Sequence, residues 1–246
     1  MKLGKFVRSL LERLGYGFYK VEHSAYGIDP FVDIRRLSRH LGYPIETFFD
    51  VGANVGQTAK KALGAFPSVS VVCFEPHPAT FAQLTANVAK KKRVAPHNLA
   101  LGSETGEAVL HQYESSDLNS LNPNSPYVSR FHPDAKSVAV QVTTLDEFCA
   151  AHSVGKIDVL KIDTEGFDAM VLRGAQGMLS RGAIKFVYTE FNHILPREGI
   201  AGGSLSELDE LLAPARLRFV ASYTDYITPK GAFFASCNAL FALSHG

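Results

Sequence analysis

Hydrophobic positions follow two repeating patterns along most of the chain. From residue 47 onward, short runs rich in Val, Ile and Phe are followed by stretches whose apolar residues recur at helical spacing. Short apolar runs are typical of buried β-strands, and the longer period is typical of amphipathic α-helices. Their alternation predicts an α/β fold, a largely parallel sheet with helices on both faces. The predicted strands cover residues 47–51, 69–74, 94–101, 108–113, 138–142, 157–162, 184–189, 217–222 and 234–243.

Helices are predicted in the intervals between these strands. One begins at a capping box, Thr144 to Glu147, in which the hydroxyl and the carboxylate satisfy free N–H groups at a helix start. Residues 114–136 are rich in Ser, Asn and Pro and follow neither period, which predicts a lid over a functional site. The other predicted helices cover residues 55–66, 81–88, 167–179 and 205–212.

The N-terminal segment has a pattern of its own. Residues 1–20 place apolar side chains at helical spacing and fill the opposite face with Lys, Arg and Glu. This helix either packs on the flank of the domain or makes peripheral contact with an anionic membrane surface. We expect no transmembrane segment, because no apolar run approaches the ~20 residues that cross a bilayer. The predicted organisation is a helical extension over 1–46 and one α/β domain over 47–246.

Charge and cysteine content narrow the class of protein. The chain has 25 basic and 24 acidic residues and a formal net charge of +1, whereas nucleic-acid-binding domains usually carry a basic excess. We therefore expect no nucleic-acid partner. Its three cysteines, Cys73, Cys149 and Cys237, are scattered and form no zinc-binding pattern. Reduced thiols in a cytoplasmic protein are the interpretation that fits this number and spacing.

The loop after the first predicted strand carries the clearest chemistry. Asp50 ends the strand, and Gly52, Asn54 and Gly56 follow before a predicted helix. Dinucleotide-binding loops read G-x-G-x-x-G instead, and an acid at this place would repel a pyrophosphate. A zwitterionic amino-acid group suits the loop, because the helix N-terminus attracts a carboxylate and the acid attracts an ammonium. An ordinary strand-to-helix turn is the alternative.

A second acid follows the next predicted strand. Glu75 ends the run VVCFE, where a carboxylate can accept two hydrogen bonds from ribose hydroxyls. An amino-acid group and a ribose at the ends of neighbouring strands together describe S-adenosylmethionine. Its positive sulfonium also explains why acids surround the site.

Several motifs together resemble the FkbM-type S-adenosylmethionine-dependent methyltransferases. They are DVGANVGQT, FEPHP, N-x-A-L-G at 98–102, TTLDEF and VLKIDTEGFDAMVLRGA, in that order between about residues 47 and 191. The resemblance implies a Rossmann-like class I methyltransferase fold, with a seven-stranded, mostly parallel sheet whose last strand is antiparallel. It also implies methyl transfer, most often to a hydroxyl of a sugar or another small metabolite. The cofactor-binding residues that it implies are Asp50, Gly52, Asn54, Gly56, Gln57, Glu75, Leu101 and Asp163.

Candidate catalytic residues follow two later strands. Asp163 comes after the strand at 157–162, and Glu190 and His193 follow the strand at 184–189. Open α/β sheets bind ligands at this carboxyl edge. Asp163 would orient the cofactor's ammonium, accept the acceptor's proton or bind a metal, and His193 is a candidate base, since imidazole titrates near ~6.5. We assign no metal here, although these three side chains form the set that would hold a divalent ion.

Further residues near this edge have a structural interpretation, and all of them except Lys161 also have a functional one. Glu165 either begins the next helix or acts in the site. Lys161 interrupts an apolar strand, and a buried ammonium there needs a partner such as Asp50 or Glu190. Tyr223, with Asp225 and Tyr226, is either a platform for a sugar ring or packs within the protein.

The function predicted from the sequence is O-methylation of a small-molecule hydroxyl, on a sugar, glycolipid or secondary metabolite. Two alternatives are a nicotinamide-dependent oxidoreductase on a similar sheet and a protein that binds S-adenosylmethionine without catalysis. RNA methylation is disfavoured by the neutral charge.

Overall fold

A seven-stranded sheet organises the part of the chain that the structure describes. The computed structural model describes residues 25–112, 120–121, 136–191, 193–195, 203–226 and 236–244. The sheet has the order β3-β2-β1-β7-β8-β10-β9, and a second sheet has the order β4-β6-β5. The strands are β1 Thr47–Val51, β2 Ser70–Phe74, β3 Val94–His97, β4 Ala100–Leu101, β5 Gly106–Gln112, β6 Lys136–Thr143, β7 Ile157–Ile162, β8 Ile184–Phe191, β9 Leu217–Tyr226 and β10 Ser236–Leu243.

The strand directions confirm the predicted class I methyltransferase fold. Strands β3, β2, β1, β7 and β8 are parallel, while β10 runs antiparallel to both β8 and β9. The chain order reverses between β1 and β7, where Asp50 lies beside Lys161 and Val51 beside Ile162. In open α/β sheets this reversal opens a crevice at the carboxyl ends of the strands.

Helices cover both faces of the large sheet. The consecutive residues Phe48 and Phe49 of β1 are buried in different apolar layers, because successive strand side chains point to opposite faces. Helices α1–α3 pack in the layer of Phe48 and α4–α7 in the layer of Phe49. The helices are α1 Pro30–Leu41, α2 Gln57–Ala65, α3 Pro78–Val88, α4 Leu145–Ala151, α5 Asp168–Arg173, α6 Gln176–Ser180 and α7 Leu205–Leu212.

The predicted strand at 94–101 is wrong as a single element. It divides into β3 of the large sheet and β4 of the small one. Between them, the side chain of Asn98 donates to the backbone oxygens of Glu75 (2.8 Å) and Pro76 (2.9 Å). This pair of hydrogen bonds holds the chain beside the end of β2 as it passes from one sheet to the other.

The predicted helix at 167–179 is also two helices, α5 and α6. They meet at Gly174, where a Cβ would lie 2.0 Å from the backbone oxygen of Gly102. The close approach of these two backbones leaves no room for a side chain. It places the turn between α5 and α6 against the segment that follows β4.

Helix α1 docks on the sheet through a buried carboxylate. Asp33 accepts hydrogen bonds from the hydroxyl of Tyr223 (2.8 Å) and the backbone N–H of Gly27 (2.8 Å), and it forms an ion pair with Arg36. The predicted helix at 1–20 and most of the predicted lid lie outside the described residues. In the described part of the chain, no helix combines the length and the apolar character of a membrane span.

Candidate active site

The turn between β1 and α2 forms the first part of the site. Gly52 and Gly56 have φ angles of +74° and +92°, and Asn54 has a φ of +47°, all in the left-handed region that favours glycine. A Cβ on Gly52 would lie 1.9 Å from the backbone oxygen of Asp163. The glycine therefore lets the turn lie directly against the chain that leaves β7.

Glu75 forms the second part, at the end of β2. Its side chain is buried, and its two carboxylate oxygens accept the backbone N–H groups of Asn54 (3.0 Å) and His77 (2.9 Å). Burial raises the pKa of Glu75 to about 7, although these two hydrogen bonds oppose the rise. The carboxylate thus ties the β1–α2 turn to the start of α3.

A buried ammonium joins the turn to the next strand. Lys161 Nζ lies 3.2 Å from Asp50 Oδ1, 3.3 Å from Asp163 Oδ2 and 3.2 Å from the backbone oxygen of Gly52. Burial opposes the charge of Lys161, but the charges of Asp163 and Asp50 outweigh it and raise the pKa of the lysine. Burial raises the pKa of Asp50 above its ordinary range, and the ammonium opposes that rise. Of the two partners predicted for Lys161, Asp50 is the one that the structure places in contact.

Three acids meet at the other side of the site. Carboxylate oxygens of Asp163, Glu165 and Glu190 all lie within 4.8 Å of one another. Glu165 and Gly166 turn the chain with φ angles of +53° and +90°, and the hydroxyl of Ser120 donates to the backbone oxygen of Glu165 at 2.8 Å. Carboxylate oxygens at this separation are donors of the kind that a hard divalent cation prefers. Glu165 thus occupies the place in this acidic group that was predicted for His193.

A pocket opens at the carboxyl edge between these parts. It contains the predicted cofactor residues Gly52, Asn54, Glu75, Leu101 and Asp163. Its lining combines the acids Glu75, Asp163 and Glu165 with an apolar wall of leucines and phenylalanines. The remaining lining residues in the described part of the chain are Val51, Phe74, Pro76, Leu99, Ala100, Leu110, Leu121, Thr164, Glu165 and Phe167.

Three predicted cofactor residues lie outside the described lining of this pocket. Asp50 is 0% exposed and contacts Lys161, so its carboxylate does not line the described pocket, and its contact with the ammonium of the cofactor stays a prediction. Gly56 is the N-cap of α2, where a Cβ would meet the Leu84 side chain at 2.9 Å. Gln57 is exposed at the first position of α2. These residues shape the turn, whereas Gly52 and Asn54 face the pocket.

His193 lies apart from the described pocket lining. Its backbone N–H donates to Gly203 and its backbone oxygen accepts from Leu205, which joins the end of β8 to the start of α7. Glu190, in contrast, lies inside β8 and within the group of three acids. Of the three predicted catalytic residues, the structure brings Asp163 and Glu190 together.

Tyr223 corrects another expectation. The predicted strand at 217–222 continues to Tyr226, so Tyr223 lies within β9 and not in a loop after it. Its ring is 5% exposed, and its hydroxyl binds Asp33 of α1. Tyr223 is therefore a packing residue and not a platform for a sugar ring. The side chains of Asp225 and Tyr226 lie outside the described residues.

Part of the apolar wall was not foreseen from the sequence. Leu110 comes from β5, and Leu121 comes from the segment that the sequence predicted as a lid. Ser120 pairs with the backbone of His111 and so fixes Leu121 beside the pocket. The Ser- and Asn-rich composition of this segment indicated a lid but not which residue would reach the site.

A family model described as the methyltransferase FkbM domain matches residues 50–221. The 2-O-methyltransferase NoeI of Sinorhizobium fredii (strain NGR234) is 24% identical over 167 residues, covering 64% of this chain and 68% of that protein. The hexuronic acid methyltransferase AglP of Haloferax volcanii is 27% identical over 188 residues, covering 75% and 69%. The solved N-methyltransferase NodS of Bradyrhizobium japonicum has a TM-score of 0.47 at 9% identity, covering 87% and 94%.

Proposed function

Since the chain belongs to the FkbM methyltransferase family, we propose that it methylates a hydroxyl group of a sugar or of another small metabolite. The family and the fold imply S-adenosylmethionine as the methyl donor. When bound, this cofactor supplies a methyl group on a positively charged sulfur. The observation that carries the proposal is that Glu75 and Asp163 line one pocket at the carboxyl edge of the sheet.

The donor half of this pocket fits the chemistry of the cofactor. Each oxygen of Glu75 accepts one backbone N–H and retains a further lone-pair site, which suits the two hydroxyls of a ribose. Leu99, Leu101 and Phe167 supply apolar surface for a purine ring. Asp163 at the polar end suits the ammonium and the sulfonium. The alternative of a nicotinamide cofactor lacks the glycine pattern that a pyrophosphate needs.

The acceptor half is proposed to use Asp163 and Glu190. In-line displacement from a sulfonium requires alignment of the acceptor oxygen and removal of its proton. Asp163 lines the pocket with a side chain that is 40% exposed, so it can accept that proton. His193 is the second candidate base. Matched Asp163→Asn and His193→Gln variants, assayed for turnover, decide between the two.

Charge favours a neutral acceptor. Among the described residues that line the pocket, the ionisable ones are the acids Glu75, Asp163 and Glu165. They repel an anionic group, whereas a neutral sugar hydroxyl meets no such penalty. The name of NoeI supports O-methylation and that of AglP supports a sugar acceptor, although AglP acts on a hexuronic acid.

The decisive experiment supplies methyl-labelled S-adenosylmethionine and a panel of acceptors to the purified protein. Neutral sugars, uronic acids, glycolipids, polyketide-like alcohols and RNA are compared, and the labelled product is identified by mass spectrometry. We expect label on a hydroxyl of a neutral sugar or small metabolite. Label on RNA would contradict the proposal, and donor binding without transfer to any acceptor would identify a non-catalytic binding protein. Parallel reactions in EDTA and in Mg²⁺ test whether the three clustered acids serve a cation.

A further inference from the structure

The ammonium of Lys161 contacts both the β1–α2 turn and the carboxylate of Asp163. An ammonium has three N–H donors. Lys161 Nζ has three oxygens within 3.3 Å, from Asp50, Gly52 and Asp163. Asp50 is fully buried, Gly52 belongs to the β1–α2 turn, and Asp163 faces the pocket. The lysine therefore connects three functionally different positions.

Neutralising the charge of Asp50 does not by itself require a buried lysine that also contacts Asp163. Lys161 is 4% exposed and Asp50 is 0% exposed, so both ions have left water at a considerable cost in free energy. Replacing a buried ion pair by apolar residues of similar volume is often neutral or stabilising. The contact with Asp163 also goes beyond neutralisation, because Asp50 alone balances the lysine. What this second contact adds is a link between the buried lysine and a carboxylate that lines the pocket.

We propose that Lys161 is a positioning residue, which holds the Asp163 carboxylate in a fixed place relative to the Gly52 turn. Asp50 is the buried counter-ion that keeps the ammonium charged and directed toward the pocket. The proposal rests on Asp163 acting in the pocket, as stated under the proposed function. It gives Asp50 an indirect role, through Lys161, in place of the direct cofactor contact predicted from the sequence.

The geometry explains how a residue that does not face the substrate affects turnover. Displacement at a methyl group depends on alignment of acceptor oxygen, carbon and sulfur, and a misplacement of ~1 Å can cost about 100-fold in rate. The Gly52 carbonyl and the Asp163 carboxylate lie on different strand ends, and one ammonium contacts both. Loss of Lys161 frees Asp163 from the turn, while Glu75 and the apolar wall of the donor site stay in place.

The test compares single and double variants of the buried pair. Lys161→Met leaves Asp50 buried without its counter-ion, so we expect a lower melting temperature and a lower kcat. Asp50→Val/Lys161→Met removes both charges, and we expect the melting temperature to recover. In the double variant kcat should stay about 10- to 100-fold below wild type, while the Kd of S-adenosylmethionine, measured by calorimetry, changes less than kcat.

Lys156→Met is the matched control. Lys156 directly precedes the first residue of β7, at the end of the strand that lies away from the pocket. It also contacts two carboxylates, those of Glu46 (2.9 Å) and Asp158 (3.6 Å). Its loss removes a lysine and its ion pairs without touching the pocket, so kcat should equal that of wild type.

Each result of the double variant decides the matter. Recovery of kcat together with the melting temperature would show that Lys161 only neutralises Asp50, and the proposal would be wrong. A double variant that does not fold would also overturn it, because the pair would then serve the fold. Wild-type turnover is measured first, so a protein without any methyl transfer would refute the proposed function and not the role of Lys161.

Discussion

Glu75 combines two backbone hydrogen bonds with a pKa of about 7, raised chiefly by burial. Near neutral pH the carboxyl therefore exists in both protonation states. Protonation turns one oxygen into an O–H donor and weakens it as an acceptor, so the Kd of S-adenosylmethionine should rise as the pH falls from about 8 to 6. In Glu75→Gln we expect donor binding to weaken about tenfold or more and its pH dependence to flatten. Calorimetry at three pH values measures both effects.

Glu104→Gln is the matched control for that change. Glu104 is exposed and lies outside the described pocket lining, so its variant should keep the Kd and the pH dependence of wild type. An unchanged pH dependence in Glu75→Gln would show that another group controls donor binding.

Single residues also show how far sequence reasoning reaches into the site. The positions of Glu75 and Asp163 at strand ends were enough to predict that both would meet at one edge, and the structure brings both to the pocket. A strand-end position does not reveal which face a side chain takes. Asp50 lies opposite Lys161 in the register of β1 and β7, and this pairing turns its carboxylate away from the pocket.

At the scale of elements, the close approach of the β1–α2 turn to β7 gives a sharp prediction. In Gly52→Ala the new Cβ would lie 1.9 Å from the Asp163 backbone oxygen, and the φ of +74° disfavours any side chain. We expect the melting temperature to fall and donor binding to be lost, because the turn must move away from β7. Strain at such a position costs about 1–3 kcal/mol before the clash is counted.

Gly64→Ala tests the same chemical change within α2. A Cβ on Gly64 meets nothing within 4 Å, and alanine in a helix is favoured over glycine by about 0.5–1 kcal/mol. This variant should therefore be slightly more stable than wild type and bind the donor equally well. Equal behaviour of the two variants would contradict the packing described for Gly52.

The docking of α1 gives a second prediction at this scale. Tyr223→Phe removes the hydroxyl that donates to the buried carboxylate of Asp33 at 2.8 Å. A hydrogen bond to a charged group contributes about 1.5–3 kcal/mol, so the free energy of unfolding should fall by about that amount. Denaturant unfolding measures this loss. The KM for the acceptor should stay unchanged, and a raised KM would restore Tyr223 as an acceptor-binding residue.

The elements also show where periodicity is insufficient. Residues 94–101 have an apolar pattern that reads as one strand, and periodicity alone does not reveal that Asn98 bends the chain between two sheets. Likewise, the helical pattern of 167–179 continues through Gly174, although the neighbouring backbone of Gly102 interrupts the helix there. Both breaks arise from contacts between distant parts of the chain, which a local pattern does not contain.

At the scale of the whole molecule, a nearly neutral chain contains a strongly acidic site. The net charge of +1 averages surface lysines with acids that gather at one edge of the sheet. Glu75, Asp163, Glu165 and Glu190 are brought there by β2, β7 and β8 and the turns that follow them, against a single buried cation, Lys161, in the described site. The positively charged donor proposed for this site would compensate for the mutual repulsion of these acids. Ligand binding and stability should therefore depend on pH in opposite senses.

Two of the buried acids with raised pKa values, Glu75 and Asp168, make the stability of the protein without donor depend on pH. Burial is the main cause that raises the pKa of Glu75 from its ordinary 4.5 to about 7. Burial and the nearby charge of Asp163 raise that of Asp168 from 3.8 to about 6, with Thr164 and Thr189 hydrogen-bonded to it. A raised pKa in the folded state means that the folded protein binds more protons than the unfolded chain. The stability from both groups is complete below their ordinary pKa values and is lost as the pH rises through about 6 and 7.

The pH dependence of stability that these acids cause can be measured in variants. His97 changes the stability in the opposite direction at lower pH, because burial and His152 lower its pKa. The contribution of each acid is therefore measured by comparing its variant with wild type. The free energy of unfolding of wild type should decrease between about pH 5 and pH 8. In Glu75→Gln this decrease should be smaller by about 2–3 kcal/mol. Asp168→Asn should remove a smaller part of the same loss.

Saturating S-adenosylmethionine binds the ionised form of Glu75, so the stabilisation it gives should grow with pH in wild type and stay constant in Glu75→Gln. Stabilisation by the donor that is independent of pH in wild type would show that Glu75 does not hold the cofactor.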